Sequence, residues 1–119
     1  MTQRLFVYGT LAPGRANAHL LDGIDGEWES ATVNGRLYAE AWGAAQGFPG
    51  LVLDPAGAPV AGFMLTSDRL AEHWQRLDEF EGEGYERVVA KVRRRDGSSL
   101  DAFLYELKDK RPPDARLAG

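Results

Sequence analysis

The stretch LFVYGTL, residues 5–11, joins a short apolar run to a glycine and a threonine. A compact aromatic and β-branched run that stops at a glycine predicts a buried strand, here residues 5–8. Gly9 and Thr10 then offer backbone N–H groups with little side-chain obstruction, as close approach of a carboxylate or carbonyl oxygen requires. An ordinary strand-ending turn is the alternative interpretation, and this pair of residues alone leaves both open.

Further strand signals follow along the chain. Residues 31–38 form a second strand region, and residues 51–53 and 60–65 are expected to pair as a hairpin across a turn. Residues 85–94 and 100–107 alternate in polarity and are joined through Asp-Gly, which predicts a second hairpin.

One longer helix is expected after Thr66 or Ser67, either of which can cap it, and it ends at about Glu81 before Gly82. Asn17 is expected to cap a short helical turn that stops before Gly23. Several short strands with one main helix, and no regular alternation of the two, favour an α+β fold built on a small closed or partly closed sheet.

The composition indicates one ordinary globular domain. The chain has 119 residues, of which 44% are hydrophobic and 27% charged, and its net charge is -4. This charge argues against nucleic acid or an anionic membrane as partner, because both need clustered basic residues. We assign residues 1–107 to the domain and residues 108–119 to a charged, flexible tail.

The lack of cysteine excludes disulfides, thiolate nucleophiles and thiolate metal sites. It also suits a cytoplasmic protein, and the first apolar run is too short for a signal peptide or a membrane span. His19 and His73 have no metal-ligand spacing, so no metal site is expected. The run Arg93 to Arg95 is interpreted as a solvated edge that discourages strand pairing, and no ligand is assigned to it.

Glu81 is the acidic residue that departs from the helical pattern. Leu70, Trp74 and Leu77 have helical spacing, and Glu81 lies about 20° from the phase of that stripe, where an apolar residue is expected. Asp78 and the other neighbouring acids point away and are interpreted as solvated. Partial burial and like charges would raise the pKa of Glu81 toward that of a general base, whereas a frayed, exposed helix end is the alternative.

Three motifs together resemble one family. LFVYGTL, FPGLV at residues 48–52 and LDEFEGEGYERV at residues 77–88 are similar to the gamma-glutamyl cyclotransferase and AIG2-like superfamily. The resemblance spans about residues 4–107 and implies a small mixed β-barrel flanked by one main helix and short helical turns.

The resemblance also implies a set of site residues. Glu81 takes the place of the catalytic acid/base. The YGTL segment is expected to bind the gamma-glutamyl group, and Tyr85 and Tyr105 are similar to aromatic residues that border the family's pocket. By position, the binding residues are Tyr8, Gly9, Thr10, Leu11, Tyr85 and Tyr105.

The implied reaction converts a gamma-glutamyl amine or gamma-glutamyl amino acid to 5-oxoproline and a free amine, without a cofactor. Its partner is therefore a small molecule, and no pattern indicates a particular oligomeric state. Two other functions stay open at this point: a non-catalytic binding module of the same fold, and an amide hydrolase or acyltransferase that uses the same glutamate.

Overall fold

Six β-strands form one sheet in the computed structural model, which describes residues 2–9, 11, 14–15 and 18–111. The strands are β1 Gln3–Val7, β2 Glu27–Tyr38, β3 Gly50–Leu53, β4 Ala58–Ser67, β5 Tyr85–Arg94 and β6 Ser99–Leu107. Two α-helices, α1 His19–Asp22 and α2 Trp74–Glu81, and two 3-10 turns, Gly43–Ala45 and Leu70–Glu72, complete the described part.

The sheet closes into a five-stranded barrel. The strand order is β3-β2-β4-β1-β6-β5, and β2 also pairs with β5 through Ala31–Arg94 and Thr32–Arg93. Strand β3 extends the pairing of β2 outside this ring. Strands β1 and β6 run parallel whereas the other pairs are antiparallel, so the expected mixed α+β barrel with one main helix is confirmed.

Strand β1 is buried on both faces, which accounts for its unbroken apolar run. Phe6 packs inside the barrel with residues such as Met64 and Leu104. Leu5 and Val7 face the opposite way and pack against the layer that includes helix α2. Because alternate residues meet different apolar clusters, the strand shows no polar alternation.

The predicted hairpin between residues 51–53 and 60–65 is wrong. Strand β3 pairs with β2 at residues 35–38, and β4 pairs with β2 and β1 instead of with β3. The 12-residue strand β2 lies between them and uses both of its edges. The second predicted hairpin is confirmed, since β5 and β6 pair from Tyr85–Leu107 to Arg93–Ser99.

The main helix is shorter than predicted and has a different start. Strand β4 continues through Ser67, so the chain is still extended where a helix cap was expected. The Ser67 hydroxyl accepts a hydrogen bond from the Arg69 N–H at 3.0 Å, and a 3-10 turn precedes α2. His73 takes the N-cap position of α2 without a side-chain hydrogen bond, whereas the stop at Gly82 is confirmed.

Two further predictions concern helix α1 and the segment that follows β6. Helix α1 ends at Asp22, before Gly23, as expected, but its expected cap, Asn17, lies outside the described residues. After β6, the Lys108 N–H donates to the Gly84 carbonyl at 3.0 Å, and Trp42 donates to the Asp109 carbonyl at 3.1 Å. The domain boundary after residue 107 stays a prediction.

None of the helices among the described residues is long and apolar enough to cross a membrane.

Candidate active site

A cavity of about 370 Å³ lies beside the carboxyl end of β1. Strand β1, the segment around the 3-10 turn Gly43–Ala45, the end of α2, the start of β5 and strand β6 all contribute to its wall. The lining residues are Phe6, Val7, Tyr8, Gly9, Leu11, Ala44, Phe48, Pro49, Phe80, Glu81, Tyr85 and Tyr105. Among the site residues named from the sequence, Thr10 alone lies outside the described residues, and the other six line this cavity.

Tyr8 and Gly9 form the wall at the end of β1. The Tyr8 hydroxyl donates to the Tyr105 carbonyl at 2.5 Å, which fixes the end of β1 against β6. The pKa of the Tyr8 phenol is raised well above its ordinary value. Burial is the larger cause, and the Glu81 charge is the next. A Cβ at Gly9 would lie 3.2 Å from Cγ of Pro49, so the glycine permits close packing of the two wall segments.

Glu81 is the last residue of α2, and its carboxyl group faces the cavity. Gly82 follows with a φ of 79°, a conformation that a glycine adopts at little cost and that turns the chain away directly after Glu81. Burial raises the pKa of Glu81 to about 7 from its ordinary value of 4.5. The sequence predicted that neighbouring like charges would also raise this pKa, but burial alone accounts for the shift.

Glu81 is the one charged side chain among the described residues that line the cavity. A carboxyl group with a pKa near 7 is present in both protonation states at neutral pH, so it can accept a proton and return it. The arrangement therefore suits general acid/base chemistry on an uncharged group.

Tyr85 and Tyr105 complete the polar part of the wall. The Tyr85 hydroxyl donates to the Pro49 carbonyl at 2.6 Å, and burial and the Glu81 charge raise its pKa to about 12. The Tyr105 hydroxyl donates to Oδ1 of Asp78 at 2.7 Å. Burial first, and then this hydrogen bond, raise the pKa of Tyr105 well above its ordinary value. Both phenols therefore stay neutral hydrogen-bond donors at physiological pH.

Asp78 was interpreted from the sequence as a solvated acid, but in the structure it has two partners. It accepts a hydrogen bond from the Tyr105 hydroxyl. It also forms an ion pair with Arg87, whose Nε lies 3.0 Å from Oδ1 and whose Nη2 lies 3.3 Å from Oδ2. The Arg87 guanidinium lies over the Trp74 ring at 4.4 Å. Helical phase correctly places Asp78 off the apolar stripe, but phase does not reveal partners on other strands.

Two aromatic residues at the cavity were also missed as separate site residues. Phe48 is 57% exposed and Phe80 is 42% exposed, although both are large and apolar. Phe48 belongs to the FPGLV motif and Phe80 directly precedes Glu81 in LDEFEGEGYERV. Their positions in these motifs could have identified both as candidate cavity residues. Neither His19 nor His73 lines the cavity.

The family follows from comparison of the whole sequence. A family model described as gamma-glutamyl cyclotransferase, AIG2-like, matches residues 5–118. The chain belongs to this family. No curated protein matches the chain by sequence.

Solved structures with the same fold come from several organisms. YkqA from Bacillus subtilis is 30% identical with a TM-score of 0.69; the match covers 91% of this chain but only 36% of that protein. A protein from Arabidopsis thaliana is 28% identical with a TM-score of 0.70, covering 96% of this chain and 74% of the other. An AIG2-like protein from Mus musculus is 24% identical with a TM-score of 0.67, covering 97% and 82% of the two chains, and this likeness concerns the fold alone.

Proposed function

We propose that this member of the gamma-glutamyl cyclotransferase, AIG2-like family converts a gamma-glutamyl amine or gamma-glutamyl amino acid to 5-oxoproline and a free amine. The observation that carries the proposal is Glu81, whose carboxyl group is the one charged group among the described residues that line the cavity. Burial raises its pKa to about 7. Family membership supplies the reaction class.

The reaction is an intramolecular aminolysis. The neutral α-amine of the substrate attacks its own gamma-carbonyl carbon, and the new C–N bond closes the five-membered ring. The bond from that carbon to the original amide nitrogen breaks. The proton lost by the attacking nitrogen ends on the leaving nitrogen, so no water is consumed.

Glu81 is the proton carrier in this scheme. Its carboxylate takes the proton from the attacking amine and its carboxylic acid gives it to the leaving nitrogen. A pKa near 7 matches both halves of this exchange at neutral pH, whereas a fully solvated glutamate would be too weak a base.

The rest of the wall would bind and orient the gamma-glutamyl group. Gly9 leaves the backbone at the end of β1 open to close approach, and N–H groups there would stabilise the oxyanion that develops on the gamma-carbonyl. Tyr8, Tyr85 and Tyr105 hold their hydroxyls through hydrogen bonds to the protein. We assign Leu11 and Thr10 to the same binding segment.

The test is a product assay with matched variants. Purified protein would be incubated with gamma-glutamyl dipeptides, gamma-glutamyl-ε-lysine and glutathione, and 5-oxoproline and free glutamate measured by mass spectrometry. We expect 5-oxoproline from the wild type and a loss of about a hundredfold or more in Glu81→Gln, because the amide keeps the shape but cannot accept and return a proton. Glu83→Gln removes an exposed charge two residues away and should keep full activity.

The products distinguish the other functions. Free glutamate in place of 5-oxoproline would identify a hydrolase that uses the same residue. Binding of a gamma-glutamyl compound without either product would identify a binding module. Activity retained in Glu81→Gln would exclude the proposed mechanism.

A further inference from the structure

A second cavity, of about 340 Å³, also lies beside the end of β1. Strands β4, β2 and β5 are adjacent there, and Val7 and Tyr8 contribute to the walls of both cavities. Four of its lining residues are arginines: Arg15, Arg93, Arg94 and Arg95. Three of them belong to the run that the sequence analysis interpreted as a solvated edge.

The charge of this cavity is poorly neutralised by the protein. Arg94 pairs with Glu29, with 2.8 Å between Nε and Oε1. Among the described residues, Arg15, Arg93 and Arg95 have no ion pair, and none of those lining the cavity carries a carboxylate. Four of the 14 basic residues therefore line one concavity of a chain whose net charge is -4.

The remaining lining residues leave room and add donors. Ala61 is small and exposed, so strand β4 leaves room beside the arginines. Ser30 and Thr32, whose side chains carry hydroxyl groups, line the same cavity. Planar guanidinium groups bind phosphate and carboxylate oxygens with two hydrogen bonds each, and hydroxyls add further donors.

We propose that this cavity binds a small oxyanion with several negative charges, carried on phosphate or carboxylate groups. Its concave shape and limited volume suit a small molecule, and the acidic chain as a whole does not attract a nucleic acid. Arg15 is four residues beyond Leu11, so the bound anion links the segment after β1 to strand β5.

Titration calorimetry at fixed ionic strength with pyrophosphate and, separately, citrate tests this site. The wild type is expected to bind at least one of them saturably, and the stronger of the two identifies the group recognised. The double variant Arg93→Gln, Arg95→Gln should raise Kd about tenfold or more, because two charged donors are lost. Arg36→Gln, Arg69→Gln removes the same charge from exposed positions outside the cavity and should leave Kd unchanged.

A variant of opposite effect makes the test stricter. Glu29→Gln removes the carboxylate that pairs with Arg94 and should lower Kd several-fold, whereas a general loss of folding would raise it. Arg15→Gln serves in place of the double variant if circular dichroism shows that the latter is unfolded. No saturable binding of either anion to the wild type, or equal Kd values in the cavity and control variants, would overturn the proposal.

Discussion

Glu81 makes the stability of this protein depend on pH. Its pKa rises from 4.5 to about 7 on folding, because burial disfavours the charged carboxylate. Below pH 4.5 the group is protonated in both states and has no effect. As the pH rises to 7, the unfolded state ionises first, so the folded state loses stability on the order of 3 kcal/mol, at about 1.4 kcal/mol for each pH unit.

Glu81→Gln should therefore stabilise the fold at alkaline pH. We expect its free energy of unfolding to exceed that of the wild type by about 1–3 kcal/mol at pH 8 and to match it near pH 4. Urea denaturation at both pH values measures the difference. Glu83→Gln, at an exposed position, is the matched control. If the free energy of unfolding of Glu81→Gln differed from that of the wild type by the same amount at both pH values, the raised pKa would be contradicted.

Gly9 should matter more for activity than Thr10. The side chain of Gly9→Val would press against Pro49, whose carbonyl accepts the Tyr85 hydroxyl, so two parts of the cavity wall would move. A displacement of this kind costs about a hundredfold in activity. Thr10→Ser keeps the backbone and the hydroxyl and should change kcat/KM by less than about threefold. The reverse order would exclude a backbone role for this segment.

Residues that the sequence nominates as candidate site residues lie close together in the structure, whereas some of their partners were missed. Tyr8, Glu81, Tyr85 and Tyr105 were named from the sequence and line one cavity in the structure. The partnership of Asp78 with Tyr105 was missed, because it joins residues 27 apart whose contact depends on how α2 packs on the barrel. Helical phase gives the direction of a side chain around the axis of its own helix. Its hydrogen-bond partners can be identified only when the position of the neighbouring strand is also known.

At the scale of elements, Asp78 connects α2 to strands β5 and β6. It accepts a hydrogen bond from Tyr105 on β6 and pairs with Arg87 on β5. Asp78→Ala should therefore cost about 1 kcal/mol of stability, a value kept low because the carboxylate is 44% exposed. Glu79→Ala, on the same helix, should stay within about 0.5 kcal/mol of the wild type.

A double-mutant cycle separates this connection from a general helix effect. Tyr105→Phe and Asp78→Ala should couple by about 0.5 kcal/mol or more in urea denaturation, because each removes the same hydrogen bond. Additive effects of the two substitutions would show that the bond contributes nothing to stability.

Element boundaries and strand partners differ in how far a sequence reveals them. The β5–β6 hairpin was predicted correctly because its turn, Asp96-Gly97, is local, and the Gly97 N–H donates to the Arg94 carbonyl at 3.0 Å. The hairpin of residues 51–53 and 60–65 was wrong because both segments pair with β2, which precedes them. Alternating polarity specifies which face of a strand is buried and not which strand lies beside it.

At the scale of the whole molecule, a short contact closes the barrel. Only two residue pairs join β2 to β5, and they include Arg93 and Arg94, which the sequence analysis interpreted as discouraging strand pairing. Charges on a strand do prevent pairing when the edge is free. Here the backbones of Arg93 and Arg94 pair with β2, and the same two residues line the second cavity.

Close packing between β1 and β4 ties the barrel to the candidate active site. A Cβ at Gly62 of β4 would meet the Val7 carbonyl oxygen and would lie 2.5 Å from Cζ of Phe6. The carbonyl belongs to a paired strand and cannot rotate away, so a side chain at position 62 must push β1 aside. Tyr8 and Gly9 follow directly on β1 and would move with it.

Gly62→Ala should therefore reduce both stability and activity. We expect a loss of about 1–3 kcal/mol in the free energy of unfolding, as for other overpacked cores, with a parallel fall in kcat/KM. Gly23→Ala is the matched control, because that glycine has a φ of -83° and no atom within 4 Å of the added methyl group. It should change neither property by a measurable amount. If urea denaturation gave the same midpoint for both variants, the spacing of β1 and β4 would not depend on the glycine at position 62, and its link to the active site would be lost.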